Sequence, residues 1–263
     1  MTTITTQLSQ ISIFPIKSLG GLQLESSPLL PSGALKGDRE FAIFNAMGVV
    51  VNAKRNASIH KIRSQYEWLN RSITLSGTGL TSATFHLDGD RAEIGVWLSE
   101  FFKFEVHLEQ NEDMGFPDDP VSPGPTIIST QSLDCVASWF DGMTVEEMRS
   151  RFRTNLELDA PKAFWEDQLF GSTDHLKPFT IGNVNFYGVN PCQRCIVPTR
   201  DSISGEVTLA FQRTFLNHRN ATLPASVDRS RFNHFYRLAV NTRSSHGGVV
   251  RVGDHVDIGT VIS

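Results

Sequence analysis

Short runs of apolar, often β-branched residues, each broken within a few positions by Gly, Asn or Pro, constrain this chain more than any other feature. Ile11-Ser12-Ile13-Phe14-Pro15-Ile16, Phe41-Ala42-Ile43-Phe44 and Val49-Val50-Val51 are too short for helices, and Asn45-Ala46-Met47-Gly48 between the last two is a turn. Ser72–Leu75 and Ala83–Leu87 continue the pattern, giving an antiparallel β unit over roughly the first ninety residues. Val184–Val189 and the closing Val249–Ile258, two short strands around Gly253-Asp254, return to β after a helical stretch. The expected fold class is therefore β-rich α+β, two linked barrels or sheets with a few helices.

Three helices carry start signals. Asp90 with Glu93 precedes an apolar stripe of Ile94, Trp97, Leu98 and Phe101, and Ser129 or Thr130 precedes Leu133, Val136, Ala137 and Phe140. Thr144 with Glu147 makes a capping box for a short helix through Met148, after which Arg151–Leu158 alternates as a strand should. The Pro- and Gly-rich Phe116–Pro125 reads as the linker between the halves, and Arg- and Asn-rich Leu216–Asn233 as a surface loop.

Composition excludes several classes. Forty per cent hydrophobic residues, 20% charged and 18 Phe describe an ordinary globular core, and a net charge of −4 offers no footprint for nucleic acid or anionic lipid. The first residues lack the pattern of a secretory or transit leader, and no window approaches a membrane span, so the expectation is a cytoplasmic chain; nothing suggests a coiled coil or repeat interface, and a monomer is expected. Three cysteines, Cys135, Cys192 and Cys195, are too few for a disulfide framework.

Chemistry concentrates in Asn190-Pro191-Cys192-Gln193-Arg194-Cys195-Ile196-Val197-Pro198-Thr199. A redox dithiol normally sits at a helix N-terminus, where the dipole lowers the first thiol's pKa, and the run after Cys195 cannot be read as a helix. A structural zinc site needs four ligands, and His175, His218, His234, His246 and His255 are scattered. Ordinary buried thiols remain open, as does one soft ligand to a metal held mainly by something else. Arg194 favours a thiolate beside it, and Lys17, Arg39 and Arg153, if convergent, would suit a phosphorylated ligand.

The order of Pro15-Ile16-Lys17-Ser18, Asp38-Arg39, Val51-Asn52-Ala53-Lys54, Ile128–Leu133, Arg151-Phe152-Arg153-Thr154-Asn155, Cys192-Gln193-Arg194-Cys195 and Val252-Gly253-Asp254 resembles the MOSC domain proteins, in particular the mitochondrial amidoxime reducing component and its bacterial relatives. The resemblance implies a MOSC N-terminal β-barrel domain over residues 1–117 and a MOSC domain over 118–263, with the molybdenum cofactor (Mo-molybdopterin) between or beneath them. It further implies Cys195 as the molybdenum ligand and Lys17, Arg39, Arg153 and Arg194 around the pterin and its phosphate. Ser129, Asn155 and Thr199 would add neutral hydrogen bonds, and Asn155 would also help orient substrate.

The activity so implied is reduction of small N-hydroxylated compounds, N–OH to N–H. Its electrons would come from an external donor, a flavoprotein reductase, a cytochrome b5-like or a ferredoxin-like protein, because no four-cysteine iron–sulfur segment is present. The alternatives are a sulfur carrier using a Cys195 persulfide and a non-catalytic cofactor carrier. Two positions depart from the resemblance: Lys54, where many relatives carry arginine, and Gln193, where a small residue is common.

Overall fold

The computed structural model describes residues 5–173, 175–244 and 247–259; His246 lies outside them. In chain order the first half runs β1 (Gln7–Ile13), β2 (Leu22–Leu24), β3 (Ser26–Leu29), β4 (Phe41–Asn45), β5 (Arg63–Glu67), β6 (Ser72–Gly77), β7 (Leu80–His86), α1 (Arg91–Phe102) and β8 (Val106–Gln110). The second runs β9 (Ile127–Ser129), α2 (Thr130–Ala137), α3 (Val145–Phe152), β10 (Leu156–Asp159), β11 (Lys177–Ile181), β12 (Val184–Gln193), α4 (Phe211–Thr222), β13 (Arg237–Ser244), β14 (Gly248–Arg251) and β15 (Val256–Ile258). The chain is strand-rich with few helices, as its pattern of short apolar runs requires.

One sheet of eight strands, ordered β15-β11-β12-β13-β9-β10-β1-β2, dominates the second half. It curls back on itself: Gln7 bridges His255, Leu8 N donates to Asp254 O at 2.8 Å, and Gly253 N donates to Leu8 O at 2.7 Å. The start of β1 is thereby joined to the segment that leads into β15, which closes part of the edge a flat sheet would expose. The N-terminal strands β1 and β2 thus complete a sheet otherwise built by the C-terminal half, and β3 pairs with β14. β4 with β8, and β5-β6-β7, form separate sheets against α1.

Three apolar clusters result. Leu8, Ile11, Ile13, Phe179, Phe186 and Val240 fill the eight-stranded sheet; Ile43, Ile73, Ile94, Trp97 and Leu98 fill the first half; Leu133, Val136, Met148, Phe152, Phe211 and Phe215 join α2, α3 and α4. Gly188 is required where β12 passes Leu169, because a Cβ there would sit 1.8 Å from the Leu169 carbonyl oxygen. Among the described residues no helix is long and apolar enough to cross a membrane.

Several local expectations are corrected. Arg151 and Phe152 belong to α3, not to a strand, because Met148, Arg151 and Phe152 share one buried face, and strand geometry begins only at Leu156. Leu216–Asn233 is not one loop: its first part is α4, whose N-cap, Ala210, makes no side-chain capping bond that could have flagged it. Val49–Val51 makes only a single bridge, Phe44 to Val50, and Val197–Thr199 forms a 3-10 turn with Pro198 near its start. Ser129 and Thr144 do cap α2 and α3, accepting from Ser132 N and Glu147 N, whereas Asp90 turns its carboxylate back to accept from His86 N.

Candidate functional site

The segments that carry the sequence motifs meet at a cleft of about 580 Å³. Lys17, Ser18, Asp38, Arg39 and Asn52–Lys54 line it from the first half, Asp118, Asp119, Ser122, Gly124 and Thr126 from the connecting segment, and Arg153, Asn155, Asn190, Cys192, Arg194, Cys195, Arg237 and Asn241 from the second. Of the expected site residues, Lys17, Arg39, Arg153, Asn155, Arg194 and Cys195 are brought together here. Ser129 and Thr199 are not.

Three non-glycine residues with positive φ lie at this cleft. Ser18, Arg39 and Arg153 adopt φ of 76°, 51° and 52°, the left-handed region that costs a non-glycine residue roughly 1 kcal/mol. Arg153 reaches it as the C-cap of α3, its N–H donating to Arg149 O. The strain stacks two guanidiniums on one ring, with Arg39 Cζ 5.4 Å and Arg153 Cζ 4.1 Å from the centroid of Phe14.

The charges are unequally neutralised. Arg39 pairs with Asp38, while Lys17 and Lys54 share Asp118 at 2.7 and 3.1 Å. Burial pulls the Lys17 ammonium below its ordinary pKa against the opposing charge of Asp118. Arg153 has only a carbonyl, Leu19 O at 2.5 Å, and burial followed by the neighbouring Arg39 brings its pKa down to about 10. Arg194 donates to Phe152 O and Arg237 to Pro191 O and Asn233 Oδ1, and the Nε of each is buried without a partner. Three guanidiniums that meet no carboxylate among the described residues, around one cavity, are what a bound anion would satisfy.

The two thiols separate. β12 and β13 shift register between Pro191 and Gln193, a bulge that re-aims Cys192. Cys192 packs against the helical cluster, and its Sγ accepts from Arg194 Nη1 at 3.2 Å. Cys195 packs against the first-half cluster beside Val197, and of the two thiols it is Cys192 that the Arg194 guanidinium reaches. The sequence places Arg194 next to both and gives no sign of which one its side chain reaches. Among the described residues no three His, Cys, Asp or Glu side chains gather to hold a bare ion, which leaves the structural-zinc alternative without ligands.

Asn155 lines the cleft with its amide largely engaged: Nδ2 donates to Ser12 O at 3.1 Å, and Oδ1 accepts from Thr126 N and Oγ1. It pins β1 to the connecting segment and keeps one Nδ2 hydrogen uncommitted. Thr199 closes the 3-10 turn, donating to Ile196 O at 2.7 Å. Ser129 points into the core, where its hydroxyl and that of Ser132 donate to Glu166 Oε2 at 2.8 and 2.9 Å. The resemblance implied both at the cofactor; in the structure their hydroxyls serve the local turns instead. Arg237 and Asn241 of β13 were missed, being far from any motif in sequence.

That Ser129 network carries a pH signature. Burial, and then the neighbouring Asp167 charge, push the fully buried Glu166 carboxyl up from 4.5 to about 7, and its Oε1 has no partner. A carboxyl raised in the folded state contributes its full stability below its unfolded value and loses it as pH rises through the folded value. Urea midpoints between pH 5 and 8 should show the wild type losing on the order of 2 kcal/mol more than Glu166→Gln. Parallel pH profiles for the two proteins would refute the assignment.

The fold and cleft define a class: a two-part β protein holding an anion-receptive, thiol-bearing cleft at its seam. Residues 5–113 match the MOSC N-terminal beta barrel domain and residues 124–257 the MOSC domain, and the chain belongs to the MOSC domain family. It is similar to the molybdenum cofactor sulfurase of Danio rerio, 25% identical over 95% of this chain and 34% of that protein. Molybdenum cofactor sulfurase 1 of Aedes aegypti is 26% identical over 72% of this chain and 29% of that protein. The chain spans about a third of the length of these curated relatives. Among solved structures, the YUAD protein from Bacillus subtilis aligns over 97% of this chain and 96% of its own, with a TM-score of 0.42 and 9% identity.

Proposed function

We propose that this chain binds the molybdenum cofactor in the cleft and reduces N-hydroxylated compounds with electrons from a separate protein. The observation that carries the reading is one cavity holding both a half-buried thiol, Cys195, and the carboxylate-free guanidiniums of Arg153, Arg194 and Arg237. These residues fit the group: the cations suit a phosphate-bearing pterin, and a soft thiolate suits a metal held mainly by a dithiolene. When bound, the cofactor supplies a two-electron centre able to take up an oxygen atom.

The chain's own residues have separable roles in this reading. Cys195 Sγ would ligate the metal, leaving other metal positions open to substrate. Lys17, Arg39 and Arg153 would hold the phosphate, with Arg153 positioned by Leu19 O and by Phe14. Asn155 would offer its remaining amide hydrogen to substrate or pterin. Asp118 holds Lys17 and Lys54 together at the mouth and so keeps part of the entrance charge neutral.

A second reading is sulfur transfer through a cysteine persulfide. It draws support from relatives named molybdenum cofactor sulfurase and from the second cysteine of the cleft, Cys192, whose Sγ accepts from Arg194 Nη1 at 3.2 Å. The discriminating experiment produces the chain in a host that makes the cofactor, measures molybdenum and pterin, and assays an amidoxime with a chemical reductant. Stoichiometric metal and pterin with turnover are expected. Well-folded protein lacking both, yet accepting a persulfide sulfur, would overturn the reductase reading in favour of the carrier.

A further inference from the structure

Ala53, Arg153 and Val197 line the cleft on one side and, on the other, a second cavity of about 290 Å³. Arg63, Arg151, Arg200 and His60 also line it, and none of its described lining residues is acidic. The cleft, by contrast, holds Asp38, Asp118 and Asp119 among its arginines. An acid-free wall of this kind concentrates positive potential in a small, partly enclosed space.

Three of the four arginines are fixed but not neutralised. Arg151 alone has carboxylate partners among the described residues, Glu147 at 2.5 Å and Asp201 at 3.8 Å. The other three are held by carbonyls: Arg63 donates to His60 O and Ile203 O at 2.6 and 2.9 Å, Arg200 Nη1 to Ala53 O at 2.7 Å, and Arg153 Nη2 to Leu19 O at 2.5 Å. Carbonyls orient a guanidinium while cancelling none of its charge, so like charges stay close together at a cost that a bound anion would remove. Arg200 Nε is buried with no hydrogen-bond partner among the described residues, a donor left over after the carbonyls are served. His60 registers the field: burial, then Arg200, then Arg153 lower its pKa.

We infer that this second cavity is an oxyanion site of the phosphate class, built by Arg63, Arg153 and Arg200 and separate from the thiol-bearing cleft. Pre-oriented guanidiniums match the paired oxygens of phosphate or sulfate, whereas halide offers no such geometry. Arg153 is shared with the phosphate-holding set proposed for the cleft, whereas Arg63 and Arg200 line the second cavity alone. The oxyanion is either a free ion or the terminal phosphate of a ligand that reaches past Arg153 from the cleft, and the two sources differ in whether Arg39, which lines the cleft alone, contributes.

The test titrates the full chain with inorganic phosphate and then pyrophosphate, against chloride at matched ionic strength. The readout is the His60 imidazole signal in NMR, assigned with His60→Gln. Phosphate should move that signal and raise the His60 pKa, because the anion offsets Arg200 and Arg153. Arg200→Gln should weaken binding about tenfold or more. Arg63→Gln, at an exposed side chain, should weaken it too without endangering the fold. Binding indifferent to Arg39→Gln identifies a free ion; pyrophosphate binding that needs both Arg39 and Arg200 identifies a spanning ligand. A His60 signal unmoved by millimolar phosphate, or moved equally in Arg200→Gln and Arg63→Gln, overturns the site.

Discussion

Cys195→Ser should lower the turnover of an N-hydroxylated substrate by at least about a hundredfold while pterin content stays near that of the wild type. The separation follows from where the groups sit. Lys17, Arg39 and Arg153 lie on the first half and on the end of α3, whereas Cys195 follows β12. A serine oxygen at position 195 removes the soft ligand and leaves the cationic lining intact. Because Cys195 is only partly buried, the substitution should cost about 1 kcal/mol or less in stability, so lost activity would not report unfolding.

Cys192→Ser provides the matched control. Its Sγ receives Arg194 Nη1, a bond that a serine oxygen can also accept, and it packs against a different apolar cluster. Turnover should stay within a few-fold of wild type. If Cys192→Ser is the inactive variant and Cys195→Ser is active, the ligand assignment is reversed and Cys192, not Cys195, is the working thiol.

The limits of sequence reading can be traced to particular residues. Capping signals read directly because they are local: Ser129 and Thr144 accept from the amides their spacing implies. The strand-rich class was legible from run length alone. What escaped depends on contacts distant in sequence. β1 joins a sheet of the second half because Leu8 and Gly253 exchange hydrogen bonds, a pairing no local pattern encodes. Arg237 enters the cleft through pairing of β13 with β12, opposite Gln193. Arg153 reads as a strand residue by alternation, yet its left-handed backbone ends a helix and turns the guanidinium onto Phe14. α4 was hidden because its exposed face is polar and its buried face rests on Phe211, Phe215 and an arginine, Arg219, which a hydropathy pattern counts as outside.

That arginine leads to the largest stability effect expected here. Arg219 is fully buried; its Nη2 lies 2.7 and 2.6 Å from the two oxygens of the buried Asp167, and its Cζ stacks 4.2 Å from Phe164 and 5.1 Å from Phe232. Arg219→Ala strands the Asp167 carboxylate in the core and opens a cavity between two rings, which should cost about 3 to 5 kcal/mol and lower the melting temperature by roughly 10 °C. The double variant Arg219→Met/Asp167→Asn keeps the volume and removes both charges, so it should recover most of that loss, because desolvating the pair is itself expensive. The effect extends to the cleft: Arg219 Nε donates to Arg237 O at 3.2 Å, at the start of β13 and on the residue whose guanidinium lines the cavity. Ligand affinity in the double variant should therefore fall further than its recovered stability explains. Denaturation by urea and binding measured on the same three proteins would decide it, and an Arg219→Ala cost below about 1 kcal/mol would mean that water, not the buried pair, carries the charge of Asp167.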